Sequence, residues 1–132
     1  CAYVGSQTHI YNDTLRNNLT LWNEAVTDTH IKEVLERVNL LSFLSRIDEQ
    51  VSDGSFSEGQ KQRIGLIRAF LKGSSVVIFD EATANLDHKN ATRIEHLLLS
   101  DPNITYITVT HHLIKENEPY FDEIIRLGEG TE

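Results

Sequence analysis

Apolar positions along this chain change period several times, and each change predicts an element. Residues 1–4 are an apolar run that predicts a short strand, and the polar loop after it carries Gln7. Asn12 and Asp13 are placed to cap a short helix over 14–18. Ile31, Val34, Leu35 and Val38 recur at helical spacing, with Asp28 or Thr29 as the cap. Residues 40–54 read as a further short helix and a polar loop. Ser57-x-x-Gln60 is a capping-box pattern that opens a longer helix, in which Ile64, Ile67 and Leu71 mark the buried stripe and Gly73 the stop.

After Gly73 the pattern alternates between strand and helix. Val76, Val77, Ile78 and Phe79 form a continuous β-branched and aromatic run, which predicts a strand buried on both faces. Asp80 and Glu81 emerge at its carboxyl end. Asp87 caps a predicted helix that runs to about residue 99 and is broken by Asp101 and Pro102. Residues 104–110 predict a second buried strand, with His111 at its end. A short helix over 113–116 and a last strand over 124–127 complete the pattern, before a turn at Gly128, Glu129 and Gly130. This alternation predicts an α/β fold with a parallel sheet. There is no internal repeat, low-complexity tract or proline-rich linker.

Composition narrows the function class. The chain has 132 residues, 39% of them hydrophobic and 24% charged, ordinary values for one globular unit. Its 12 basic and 20 acidic residues give a net charge of −8, which argues against a nucleic-acid surface as the main partner. A single cysteine excludes an internal disulfide and fits a reducing compartment. No apolar run approaches the ~20 residues that a membrane-crossing helix needs.

Three features carry candidate chemistry. Adjacent carboxylates at the end of a strand either cap the following turn or divide two tasks. In the second reading Asp80 holds a divalent cation through water, and Glu81 polarises an attacking water. The helix start at Ser57, Gly59 and Gln60 is an ordinary capping box, and its free N–H groups and dipole also suit a phosphate. His111 is readable as a structural residue or as an imidazole donor to phosphate. Asp87 is a helix cap on residues alone. His9, His30, His88, His96 and His112 are assigned no role.

Taken in order, these motifs resemble those of the ATP-binding domain of an ABC transporter. Tyr3, Val4, Gly5, Ser6 and Gln7 resemble the strand into the Q-loop. Phe56, Ser57, Glu58, Gly59 and Gln60, continued by Lys61, Gln62 and Arg63, resemble the signature motif. Residues 76–80 resemble a Walker B strand, Ala84, Asn85, Leu86 and Asp87 the D-loop, and Thr108, Val109, Thr110 and His111 the H-loop. The resemblance covers nearly the whole chain. It implies part of a RecA-like P-loop NTPase core, at 1–7 and 73–132, plus an ABC-type helical subdomain at about 8–72.

The resemblance implies ATP hydrolysis with Mg²⁺. Glu81 would be the catalytic base, and His111 would reach the γ-phosphate. Asp80 and Gln7 would hold the metal shell, and Ser57, Gly59 and Gln60 would contact the γ-phosphate held by the other subunit. Asp87 would communicate across the dimer. The implied partners are a second nucleotide-binding domain, arranged head to tail, and transmembrane domains, with no nucleic acid. The implied place is the cytoplasmic face of the membrane. Thr14, Leu15, Arg16, Asn17, Asn18 and Leu19 resemble the exporter pattern that meets a coupling helix.

Two residues depart from the signature pattern: Phe56 stands for Leu as an apolar staple, and Glu58 stands for Gly, with its carboxylate expected to face outward. No G-x-x-x-x-G-K-[ST] motif and no Met occur. The expectation is therefore a carboxyl-terminal part of a larger domain, inactive when isolated. The rival reading is an SMC-like ATPase of chromosome maintenance or DNA repair. The short stretch between Gln7 and Ser57 lacks the sustained heptads that reading requires.

Overall fold

A computed structural model of the chain describes residues 2–5, 8–80, 87–110 and 113–126. In chain order the elements are β1 (Ala2–Val4), β2 (Asp13–Thr14), α1 (Leu15–Thr20), α2 (Asp28–Arg37), β3 (Gln50–Val51), α3 (Glu58–Lys72), β4 (Val76–Asp80), α4 (His88–Ser100) and β5 (Thr105–Val109). Short 3-10 turns lie at Leu41–Arg46, Asp53–Ser55 and Lys115–Tyr120. β1, β4 and β5 form a parallel sheet in the order β1-β4-β5, and β2 and β3 form a small antiparallel pair. Parallel strands with flanking helices make this the expected α/β class.

Register decides which side chains share a face. Val4 lies beside Phe79, and Phe79 beside Thr108, so Val4, Val77, Phe79 and Tyr106 line one side. Helices α3 and α4 pack there, and Val4, Ile64, Ile67, Leu71, Val77, Phe79, Ile94 and Leu98 join one apolar core. The opposite side carries Tyr3, Ile78, Asp80, Ile107 and Val109. It is open: Ile107 is 47% and Val109 59% exposed. The strands at 76–80 and 105–109 are therefore half-buried, not buried on both faces as their composition predicts, because the described helices cover one side only.

Local capping corrects several other expectations. Thr14, and not Asn12 or Asp13, caps α1 by accepting from Asn17 N at 3.1 Å. Asp13 instead accepts from Thr14 N and Asn17 Nδ2 at 2.6 and 2.7 Å. Thr27, one residue before the expected pair, caps α2 by accepting from His30 N at 3.2 Å, and Asp28 moves into the first turn, where it favours the helix dipole. Ser57, Gly73 and Asp87 take their predicted roles, with Gly73 in the left-handed region at φ 75°. The expected helix at 113–116 is the 3-10 turn Lys115–Tyr120. Residues 124–126 are not a strand, and Ile125 is 73% exposed. An apolar run becomes a strand only where a neighbouring ladder receives it, and among the described residues none does.

A buried polar cluster ties α4 to β5. Glu95, 3% exposed, accepts from the Tyr106 hydroxyl at 2.7 Å and from Asn117 Nδ2 at 3.3 Å, while the same Asn117 amide donates to Thr92 O at 3.0 Å. Burial raises the Glu95 acid above the ordinary carboxylate value, and its two hydrogen bonds offset only part of that. A carboxyl with a raised folded pKa binds its proton more tightly folded than unfolded. Stability therefore falls as pH rises from the ordinary carboxylate value through the raised one. Denaturant melts across this window should show that decline in the parent protein and its loss in Glu95→Gln; equal slopes would mean that burial does not penalise the Glu95 charge.

Candidate functional site

The first turn of α3 is organised before any ligand arrives. Ser57 Oγ accepts from Gln60 N at 3.1 Å, and Gln60 Oε1 accepts from Ser57 N at 2.9 Å, closing the capping box. The amides of Glu58 and Gly59 meet no acceptor among the described residues, so they are the ones left to face an anion. Phe56 is buried under this turn, against Phe43. Glu58 faces outward as expected: its carboxylate lies 3.4 Å from Lys61 Nζ, which also pairs with Asp53 at 2.9 Å. The hydrogen bond that Lys61 donates to Asp53, with a smaller one to Glu58, raises the Lys61 ammonium above its ordinary pKa.

Helix α3 reaches the sheet at Gly65. A Cβ there would stand 3.0 Å from Thr8 Oγ1 and 3.4 Å from Val4 Cγ1, so a bare α-carbon sets the approach at the carboxyl end of β1. One turn on, Arg68 Nε donates to Asn18 O at 2.7 Å, and its guanidinium lies over the Tyr11 ring. Asn18, fully buried, bridges Tyr11 N, Tyr11 O and Thr14 O. The turns of α3 before Gly65 have no such seat on the sheet. At 1.5 Å per residue, Ser57 stands roughly 12 Å further along the axis.

Asp80 belongs to a different place. It ends β4 on the open side of the sheet, and the Tyr3 hydroxyl donates to its Oδ2 at 2.6 Å. That bond is the first cause of a raised Tyr3 pKa. Asp87 caps α4 by accepting from Asn90 N and Nδ2 at 3.3 and 2.6 Å, and these bonds, helped by the Arg63 charge, hold its acid below the ordinary value. Arg63 donates to Val38 O and Asn39 O at 3.4 Å, and Arg93 to Glu36 O at 3.3 Å. The C-terminal carbonyls of α2 thus receive cations from both α3 and α4, as the helix dipole favours.

The expected site residues are only partly brought together. Gln7, Glu81, His111 and Ala84-Asn85-Leu86 lie outside the described residues. Arg63, after the signature segment, acts on Asp87 through its charge alone, whereas Asp80 lies with Tyr3. Sequence reading gave no individual role to Tyr3, Asn18, Arg63, Gly65 or Arg68, although Tyr3, Asn18 and Arg63 stand in runs likened to the Q-loop strand, the exporter segment and the signature motif. His88, given no role from sequence, lies on the surface with its Nε2 2.6 Å from Glu116 Oε2.

These groups fit a nucleotide with its metal. Two amides at a helix start suit a phosphate oxygen. Asp80, on the open side of the sheet with one carboxylate oxygen held by Tyr3, has the chemistry of a ligand to a hydrated cation.

Residues 2–84 match the family model described as ABC transporter. The chain is 33% identical over 98% of its length to a probable ABC transporter ATP-binding/permease protein of Haemophilus influenzae, of which it spans 24%. It is 32% identical over 85% of its length to an ATP-dependent lipid A-core flippase of Francisella novicida, of which it spans 20%. A bacterial Atm1-family ABC exporter solved with ATP bound shares the fold, with a TM-score of 0.75 and 22% identity over 84% of this chain and 21% of that one.

The seat of α3 is directly testable. Gly65→Val should destabilise the protein by about 1–3 kcal/mol through overpacking against Val4 and Thr8, with Gly65→Ala milder. Denaturant midpoints unchanged in both variants would mean that the close approach is dispensable.

Proposed function

Because the chain belongs to the ABC transporter family, we propose that it supplies part of an exporter-type nucleotide-binding domain that hydrolyses ATP to drive transport. The observation that carries this reading is the division of the site. Asp80 ends a parallel strand at the sheet's carboxyl edge, while the signature turn opens α3 about two turns before that helix meets β1 at Gly65. A turn so displaced suits the γ-phosphate of a nucleotide on a second, head-to-tail copy, which makes each site composite. Residues 8–72 form the helical subdomain in this reading, and 1–7 with 73–132 the core portion.

Each residue then has one task. The amides of Glu58 and Gly59, in the turn framed by Ser57 and Gln60, receive phosphate oxygens. Asp80 and Gln7 orient the water shell of Mg²⁺, which when bound supplies charge neutralisation for the phosphates. Glu81 takes a proton from the attacking water, and His111 donates a hydrogen bond to the γ-phosphate. Asp87 starts α4 at the dimer contact.

An exposed aromatic patch supports a membrane-domain partner. Tyr11, Leu21 and Trp22 are 40%, 45% and 48% exposed, with the rings of Tyr11 and Trp22 edge to face at 5.1 Å. Leu21 and Trp22 both have positive φ, at 53° and 63°, a conformation costly for bulky residues that displays them outward. No described helix is long and apolar enough to cross a membrane. In this reading the domain acts at the cytoplasmic face, held through contacts such as the aromatic patch to transmembrane domains.

Two measurements on the full-length protein test this reading. Glu81→Gln should abolish ATP turnover and keep ATP binding; normal turnover would remove Glu81 from the role of base. Trp22→Ala should leave ATP affinity near that of the parent and cut substrate-driven stimulation of hydrolysis. Full stimulation in that variant would detach the aromatic patch from the membrane-domain contact.

A further inference from the structure

We propose that Tyr3 is a positioning residue for Asp80, holding one carboxylate oxygen so that the other is presented to the hydrated cation. The proposal rests on the reading of Asp80 given above and adds a residue to that site. Tyr3 and Asp80 lie on neighbouring strands, on the same open side of the sheet, with Tyr3 registered beside Ile78. The phenol reaches diagonally past Ile78, and its hydroxyl donates to Asp80 Oδ2 at 2.6 Å. Oδ1 of Asp80 has no partner among the described residues.

Gly5 keeps the path of the ring clear. A Cβ at Gly5 would come within 2.9 Å of Tyr3 Cε2 and 3.3 Å of the Tyr3 hydroxyl oxygen, so any other residue there would push the ring aside. An unheld aspartate at a strand end rotates between staggered wells, and only some of them aim an oxygen at the cation. A short bond from a neutral hydroxyl to a carboxylate is charge-assisted and selects one orientation without adding or removing charge. The benefit therefore falls on metal affinity, while the proton transfer that follows uses other groups.

Electron paramagnetic resonance of Mn²⁺ bound with ATP to the full-length protein reads this step apart from turnover. Tyr3→Phe, which leaves the ring in place, should weaken Mn²⁺ binding by about three- to tenfold, a loss expected for one oriented charge-assisted bond at an exposed site. The Mn²⁺ concentration for half-maximal hydrolysis should rise by the same factor, with the rate at saturating metal unchanged. Gly5→Ala should reproduce the loss, yet add nothing in a Tyr3→Leu background. Parent-like Mn²⁺ binding by Tyr3→Phe, or a fall in maximal rate with unaltered Mn²⁺ binding, would overturn the role of Tyr3. Asp80→Asn separates the two readings. If it loses Mn²⁺ while Tyr3→Phe does not, only the positioning role fails; if it binds Mn²⁺ like the parent, the metal role of Asp80 fails and takes the proposal with it.

Discussion

The approach of α3 to the sheet at Gly65 governs how the rest of this molecule can be arranged. With Val4 and Thr8 against a bare α-carbon, the helix has one depth and one position along its axis. That position lets Arg68 reach the carbonyl of Asn18 and places the signature turn about two helical turns from the contact. Asn18 then uses its amide to close the chain around Tyr11 and Thr14. A helix that sat deeper or shallower would lose the Arg68 bond and shift Ser57 relative to Asp80. Position and chemistry are thus set by one contact made possible by a missing methyl group.

Polar bonds at the other junction do complementary work. At the end of α2 the carbonyls of Val38 and Asn39 accept from Arg63, and Glu36 O, which also accepts from Asn39 N, receives Arg93, so arginines from two different helices meet there. Asn39 adopts a positive φ of 59° there, a conformation asparagine tolerates better than most residues, and its amide donates to Asn90 at 3.2 Å. Half-buried Arg63 loses hydration, and the nearby Asp87 charge offsets part of that loss. Movement of the signature helix would be felt at the start of α4 through this junction, without a covalent link between them.

What could be read from residues alone was what residues decide locally. Ser57 with Gln60, Gly73 and Asp87 announce helix ends because a cap needs only its neighbours in sequence. The strand at 76–80 was legible from β-branched and aromatic side chains, and its two carboxyl-terminal acids from their place in the string. Burial was misread there, because composition reports what a strand tolerates, while exposure depends on what covers it. The run at 124–127 failed for a related reason: no described ladder receives it. Tyr3 and Asp80 lie 77 residues apart in sequence, and no pattern within either segment points to the other. The Thr27 cap was missed by one residue, which is the ordinary scale of ambiguity where Thr27, Asp28 and Thr29 all can accept a backbone bond.

The parallel pairing of β1 with β4 also has a consequence for biosynthesis. Ala2 pairs with Val77, so the first strand leaves the ribosome long before its partner exists. At ~5–20 residues per second, the wait is on the order of 4–15 s. During that interval the backbone groups of β1 cannot be satisfied by the ladder they finally join, whereas the helices between can already form from local contacts. Nascent chains therefore carry β1 without this partner until translation reaches Phe79, and rates of elongation or chaperone occupancy over that window bear on yield.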